Sequence, residues 1–112
     1  MKISKNAHDS IMVLKLSGKI MGGADHDLFH EEIKGLVADG IVDVVLNMHK
    51  VNWINSTGLG VLVSGYHTVK KNDGSMKICE VSDRIDSILN ITQLKLVFDT
   101  YDSEAEALES YS

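Results

Sequence analysis

Between Gly40 and His49 the chain runs Ile41–Val42–Asp43–Val44–Val45–Leu46–Asn47–Met48, nearly continuous in apolar residues. A run this short and this apolar is the signature of a central strand buried on both faces. The segments on either side have a different period. Before it, Phe29, Ile33, Leu36 and Val37 fall at helical spacing with charged residues between them. After it, Leu59, Leu62, Val63, Tyr66 and Val69 share one helical face. A doubly buried strand between amphipathic helices implies a mostly parallel sheet with right-handed crossovers.

The rest of the chain fits that frame. Ile11–Leu16 reads as a strand, with Met12, Leu14 and Leu16 on one face. Lys2–Ala7 is a weaker edge candidate, joined to it by a hairpin at His8–Asp9, which makes the sheet mixed. Gly18, Gly22 and Gly23 mark a loop. Asp25 and Asp27 then place negative charge at a helix start, and Gly40 suits its C-terminal cap. His49–Asn55 reads as a turn-like segment, and Asn72–Asp73–Gly74 closes the following helix. Met76–Val81 is a further short strand. Ser82 or Asp83 can cap a helix carrying Ile85, Ile88, Leu89 and Ile91. Leu96–Val97–Phe98 reads as the last strand, and Ser103–Glu104–Ala105–Glu106 as a capping box opening a short final helix. The expected order is ββαβαβαβα: an α/β fold with a mixed sheet of four or five strands and about four helices.

Composition narrows the function. A length of 112 residues without prolines or a Ser/Gly-rich linker predicts one domain, residues 1–112. The net charge of −5 argues against a nucleic-acid partner and against an electrostatic membrane anchor. No apolar run is long enough to span a bilayer, and no apolar segment follows the polar start, so no membrane insertion and a cytoplasmic setting are expected. The single cysteine, Cys79, excludes a disulfide framework and a structural zinc cluster. The acidic residues gathered after Lys95 read as a solvated helix face.

The most unusual stretch is Val51–Asn52–Trp53–Ile54–Asn55–Ser56–Thr57–Gly58–Leu59–Gly60, which follows the central strand and opens a helix. Sites in open α/β sheets gather at the carboxyl ends of strands. A hydroxyl pair at a helix start faces free backbone N–H groups and the positive end of the dipole. It can cap the helix, bind an anion, or carry a phosphoryl group of about −1.5 to −2 charge. Gly58 and Gly60 leave the first turn bare to an approaching surface.

Over essentially its whole length the chain resembles the STAS family, the anti-sigma factor antagonists. Leu16–Ser17–Gly18–Lys19–Ile20 is similar to the family's strand-end "GxI/L" turn. Asn55–Ser56–Thr57–Gly58–Leu59–Gly60–Val61–Leu62 is similar to its signature "D-S-[ST]-G-[LM]-G-x-L". Lys77–Ile78–Cys79–Glu80–Val81, Leu89–Asn90–Ile91–Thr92–Gln93–Leu94 and Val97–Phe98 agree in order and spacing. The resemblance implies a STAS-like fold and a non-enzymatic regulator without cofactor or metal. It also implies a cycle. An anti-sigma factor that is itself a serine kinase phosphorylates Ser56; the unmodified form binds that kinase; a metal-dependent serine phosphatase restores it. Asn55, Thr57, Gly58 and Gly60 would shape the phospho-acceptor loop. Two positions depart from the pattern: Asn55 replaces the usual Asp, and Met21–Gly22–Gly23 stands where an Asp often follows the turn. A STAS adaptor working without phosphorylation, in a larger signalling or lipid-transport assembly, is therefore an alternative.

Other residues have plainer readings. Thr57 can be the modified residue, but caps or packs more naturally. His26 and His30 are four apart, which is metal-ligand spacing, on what reads as a solvated face. His8, His49 and His67 have no evident catalytic partner. Cys79 reads as a packed small hydrophobe. Trp53 can anchor a partner or fill the core. There is no nucleophile elbow or Walker A loop, and Val63 occupies the third glycine position of a dinucleotide fingerprint. An enzyme reading survives only as a small flavodoxin-like domain with an unrecognised site.

Overall fold

The structure is a computed structural model that describes residues 1–111. Its elements are β1 (Lys2–His8), β2 (Ile11–Ile20), α1 (Ala24–Ala38), β3 (Asp43–Ile54), α2 (Ser56–Lys71), β4 (Ser75–Cys79), α3 (Asp83–Ile91), a 3₁₀ turn at Leu94–Leu96, β5 (Asp99–Tyr101) and α4 (Glu104–Glu109). The five strands lie in sequence order. β1 runs antiparallel to β2, and every later pair is parallel. The mixed sheet expected from the alternation of periods is the sheet observed.

The strands bury two faces. Leu14, Leu16, Val44, Leu46, Met76 and Ile78 pack beneath α1, α2 and α3, against Phe29, Ile33, Leu36, Leu62, Val69, Ile85 and Leu89. On the other face Val13, Val45 and Cys79 form a smaller core under Ala107 of α4. This explains the unbroken apolar run of β3. Met12, Leu14 and Leu16 share one face of β2 as expected, and Val13, as buried as Leu14, faces the second core. Each large apolar side chain so buried contributes about 1.5–3 kcal/mol.

Four strands, β2 to β5, have bounds that differ from expectation, each because pairing or packing outweighs local pattern. His49–Ile54 is not a turn but the second half of β3. It pairs with an equally extended β2, Gly18 opposite Val51 and Ile20 opposite Ile54. Gly18, at φ 86, lies inside β2, next to a register shift between Gly18 and Lys19; a bulge needs such a residue. β4 stops at Cys79, not Val81, because Glu80 turns into left-handed backbone at φ 58. The last strand is Asp99–Tyr101, not Leu96–Phe98. Gln93, at φ 62, starts the 3₁₀ turn, and Phe98 donates its N–H to the Leu94 carbonyl at 2.9 Å. Only Phe98 of that apolar triplet is buried.

Capping follows the residues. Ser82 accepts from the Ile85 N–H at 3.3 Å, and Ser103 from the Glu106 N–H at 3.1 Å. Ile91, read from spacing as part of the apolar face of α3, is 82% exposed.

Candidate functional site

β2 and β3 end side by side at Ile20 and Ile54, and the chain enters α2 directly from the second. Asn55 is the N-cap. Its backbone is extended, and its Oδ1 accepts from the Gly58 N–H at 2.7 Å. The hydroxyl pair therefore does not cap. Ser56 and Thr57 are the first two helical residues, and both are exposed. An Asn one place before the hydroxyls, with Gly three places on, was the signal for this arrangement, because Asn is as good an N-cap as Ser.

The two hydroxyl residues are not equivalent. A Cβ on Gly22 would lie 2.2 Å from the Thr57 Cγ2, so the loop after β2 closes against the Thr57 methyl. Thr57 packs, as one of its two expected roles. The loop is held by Asp25, whose Oδ2 accepts from the Met21 N–H at 2.8 Å. The close approach of Gly22 to Thr57 was not visible in sequence. Ser56 has the more open setting.

The two glycines also differ. A Cβ on Gly58 would lie 2.2 Å from the Ile20 carbonyl oxygen, so the first turn of α2 rests on the end of β2. Gly60 is exposed, and a Cβ there would meet nothing within 4 Å. From Gly60 a shallow groove follows α2 past Val63, Ser64 and His67 to Lys71. Met21, 45% exposed, lies in the loop that closes on Thr57. Trp53 is half-buried on β3, opposite Lys19.

The other candidates separate from this loop. His26 and His30 stack with ring centroids 5.8 Å apart. Among the described residues no group of three His, Cys, Asp or Glu side chains could hold a metal. Cys79 is fully buried, and burial, aided by the charges of Glu80 and Glu104, pushes its thiol up to about 12. No helix among the described residues is long and apolar enough to cross a membrane.

The family model of the STAS domain matches residues 2–107. The chain belongs to the STAS domain family. It is 30% identical over 95 residues to the anti-sigma-B factor antagonist of Staphylococcus aureus, covering 85% of this chain and 87% of the relative. An anti-sigma factor antagonist of Mycobacterium paratuberculosis superposes with a TM-score of 0.81 at 23% identity, over 97% of this chain and 92% of its own. SpoIIAA of Bacillus, in its phosphorylated form, superposes with a TM-score of 0.75 at 13% identity, over 99% of this chain and all (100%) of its own. The STAS fold expected from the motifs is thus the fold found.

Proposed function

We propose that this chain is an anti-sigma factor antagonist whose binding state is set by phosphorylation of Ser56. One observation supports it most. In a STAS chain, the first hydroxyl of the signature stands exposed at the first helical position of α2, and Asn55 has taken over the capping bond. The Ser56 hydroxyl is thus not needed to hold the helix. It is available to donate and accept at a close-fitting interface. The names of the relatives, and the solved phosphorylated form of SpoIIAA, support the same reading.

The physics of such a switch is local. A phosphate on Ser56 would add about −1.5 to −2 charge. The positive end of α2 offsets part of it, by about 0.3–1 kcal/mol, so the fold tolerates the group. A partner docked on Ser56, Gly60 and the groove of α2 has no such compensation and must desolvate or repel the charge. About 2.7 kcal/mol of that penalty weakens binding a hundredfold. The partner would be an anti-sigma factor with serine kinase activity, and a metal-dependent serine phosphatase would reset the cycle. This chain itself needs no catalytic group for either step.

The test is a phosphopeptide map of the protein isolated from its native cells, with co-purifying proteins identified in the same sample. The expected result is phosphate on Ser56, and a kinase-type partner retained only by the unmodified form. An unmodified Ser56 under every growth condition, with a stable partner bound, overturns the switch in favour of a constitutive adaptor.

A further inference from the structure

The second face of the sheet is only partly covered. α4 and the residues after it lay Ala107, Leu108 and Tyr111 near Val13, Val45 and Cys79. Beyond them, toward the carboxyl ends of β2 and β3, a cavity of about 370 Å³ opens on the same face. Its floor is one row of the sheet: Ser4 pairs with Lys15, and Lys15 with Asn47. Glu80, just past β4, and Glu104, at the start of α4, stand on the far side.

Three observations distinguish this cavity from an ordinary solvated sheet face. The first is Asn47, only 7% exposed and two residues from the fully buried Val45. A buried amide is retained only where its bonds are made. Asn47 Oδ1 accepts from the His49 N–H at 2.9 Å, and Nδ2 donates to Glu80 Oε2 at 3.2 Å and Glu104 Oε1 at 2.9 Å. The second is Glu80, a non-glycine residue in left-handed backbone at φ 58. Such conformations persist where the surroundings hold them, and they cluster at functional sites. Here Glu80 donates its N–H to the Tyr101 carbonyl at 3.1 Å, and its Oε2 also accepts from the Glu104 N–H at 3.0 Å. The third is the separation of charge. Both carboxylates are held by the Asn47 amide, and Glu80 Oε1 also lies 3.8 Å from Nδ1 of His49, which lines the cavity too. Lys15, two strands away on β2, and Lys50, next to His49 on β3, also line the cavity, neither in an ion pair among the described residues. The Ser4 and Ser17 hydroxyls stand with them.

We propose that this cavity binds a small zwitterion, with its anionic group at Lys15 and Lys50 and its cationic group at Glu80 and Glu104. A plain anion would meet two fixed carboxylates, and a plain cation two free ammonium groups; only a molecule carrying both charges is matched at both ends. Adjacent strands are about 4.8 Å apart; Lys50 on β3 stands one strand width from β4, and Lys15 on β2 two. A flexible chain of about four to six carbons between the charges covers both distances. The site does not involve Ser56 and stands whether or not that residue is phosphorylated.

The test is a titration of the full chain with 6-aminohexanoate, followed by ¹H–¹⁵N correlation spectra. Hexanoate and hexylamine serve as single-charge controls. Saturable shifts of the Asn47 side-chain amide and of the Lys15 and Glu80 backbone amides are expected, with affinity at least tenfold above either control. Lys15→Gln, at an exposed position, and Glu104→Gln, which keeps an acceptor for Asn47, should each lose at least tenfold while their spectra remain those of the folded chain. Absence of saturable shifts at these residues overturns the proposal. So does equal binding of either control, or unchanged binding by folded Lys15→Gln.

Discussion

Gly58 and Gly60 stand two residues apart in the same helical turn, yet alanine should act on them in opposite directions. In a helix interior Gly→Ala gains up to about 1 kcal/mol of propensity. At Gly60 nothing lies within 4 Å of the new Cβ, so the gain is kept. At Gly58 the Cβ would stand 2.2 Å from the Ile20 carbonyl oxygen and 2.8 Å from its carbon. Both are backbone atoms at the end of a central strand, and neither can swing aside as a side-chain tip would. The helix start must move by about an ångström, loosening the Asn55 bond to the Gly58 N–H and the contact with Ile54. Overpacking of this kind costs about 1–3 kcal/mol, and a rigid neighbour places it at the upper end. The net expectation for Gly58→Ala, with the propensity gain subtracted, is a loss of about 1–2 kcal/mol, and for Gly60→Ala a gain of about 0.5–1 kcal/mol. For 112 residues, 1 kcal/mol shifts Tm by about 4 °C. Thermal melts of both variants should therefore move apart, Gly58→Ala down by about 4–8 °C and Gly60→Ala up by about 2–4 °C. A Gly58→Ala protein as stable as the parent would refute the close approach of α2 to β2.

The remaining predictions address capping and burial. Asn55→Ala should cost about 0.5–2 kcal/mol in urea unfolding through loss of the 2.7 Å cap bond, whereas Ser56→Ala should stay within about 0.5 kcal/mol of the parent; a cost at Ser56 equal to that at Asn55 would mean that the hydroxyl caps after all. Cys79 should be inert to a thiol reagent at pH 8 in the native protein and react only on unfolding, since burial holds the thiol near 12; rapid native labelling would contradict its place beneath α4. Burial likewise raises Tyr111 to about 12, its hydroxyl donating to the Val44 carbonyl at 3.1 Å. Both groups are neutral when protonated and lose that proton more readily in the unfolded chain, so their stabilisation is complete below about pH 9. It should fall as pH rises toward 12, by up to about 1.4 kcal/mol per pH unit for each group titrating. A flat urea midpoint between pH 8 and pH 11 would refute this.

What could be read from sequence depended on whether a residue's role is local. The apolar run of β3 and the helical stripes of α1 and α2 are local patterns, and they fixed the element order and the mixed sheet correctly. Ser82 and Ser103 cap as their sequences suggest, because an N-cap needs only residues three apart. The errors fell where the partner is distant. Nothing in His49–Asn52 announces a strand; it is one because β2 runs alongside it to Ile20. Leu96–Val97 looks like a strand, but the left-handed Gln93 turns it into a 3₁₀ segment and shifts the pairing to Asp99–Tyr101. In the signature, the glycines were legible as positions of bare backbone. That one of them is bare toward Ile20 and the other toward solvent was not.

That difference bears on how the loop could carry the modification proposed for Ser56 and still hold its position. A modification site at a helix start must be accessible, yet the helix must hold its position when the site is altered. Here the positional task rests on Gly58 against Ile20, on Thr57 against Gly22 and on the Asn55 amide. None of these uses the Ser56 side chain. Asn55 adds a further consequence. An Asp at that position would place a full negative charge beside any phosphate on Ser56. The neutral amide accepts the same N–H without that repulsion, so a charge added at Ser56 would cost the helix start less than it would beside an Asp. If Ser56 is phosphorylated, as proposed, Asn55→Asp should leave the unmodified protein at least as stable as the parent. The phosphorylated form, prepared with phosphoserine encoded at position 56, should then melt lower than phosphorylated parent. Equal melting of the two phosphorylated proteins would show that the cap charge and the phosphate do not sense one another, and that the neutral amide has no part in tolerating the modification.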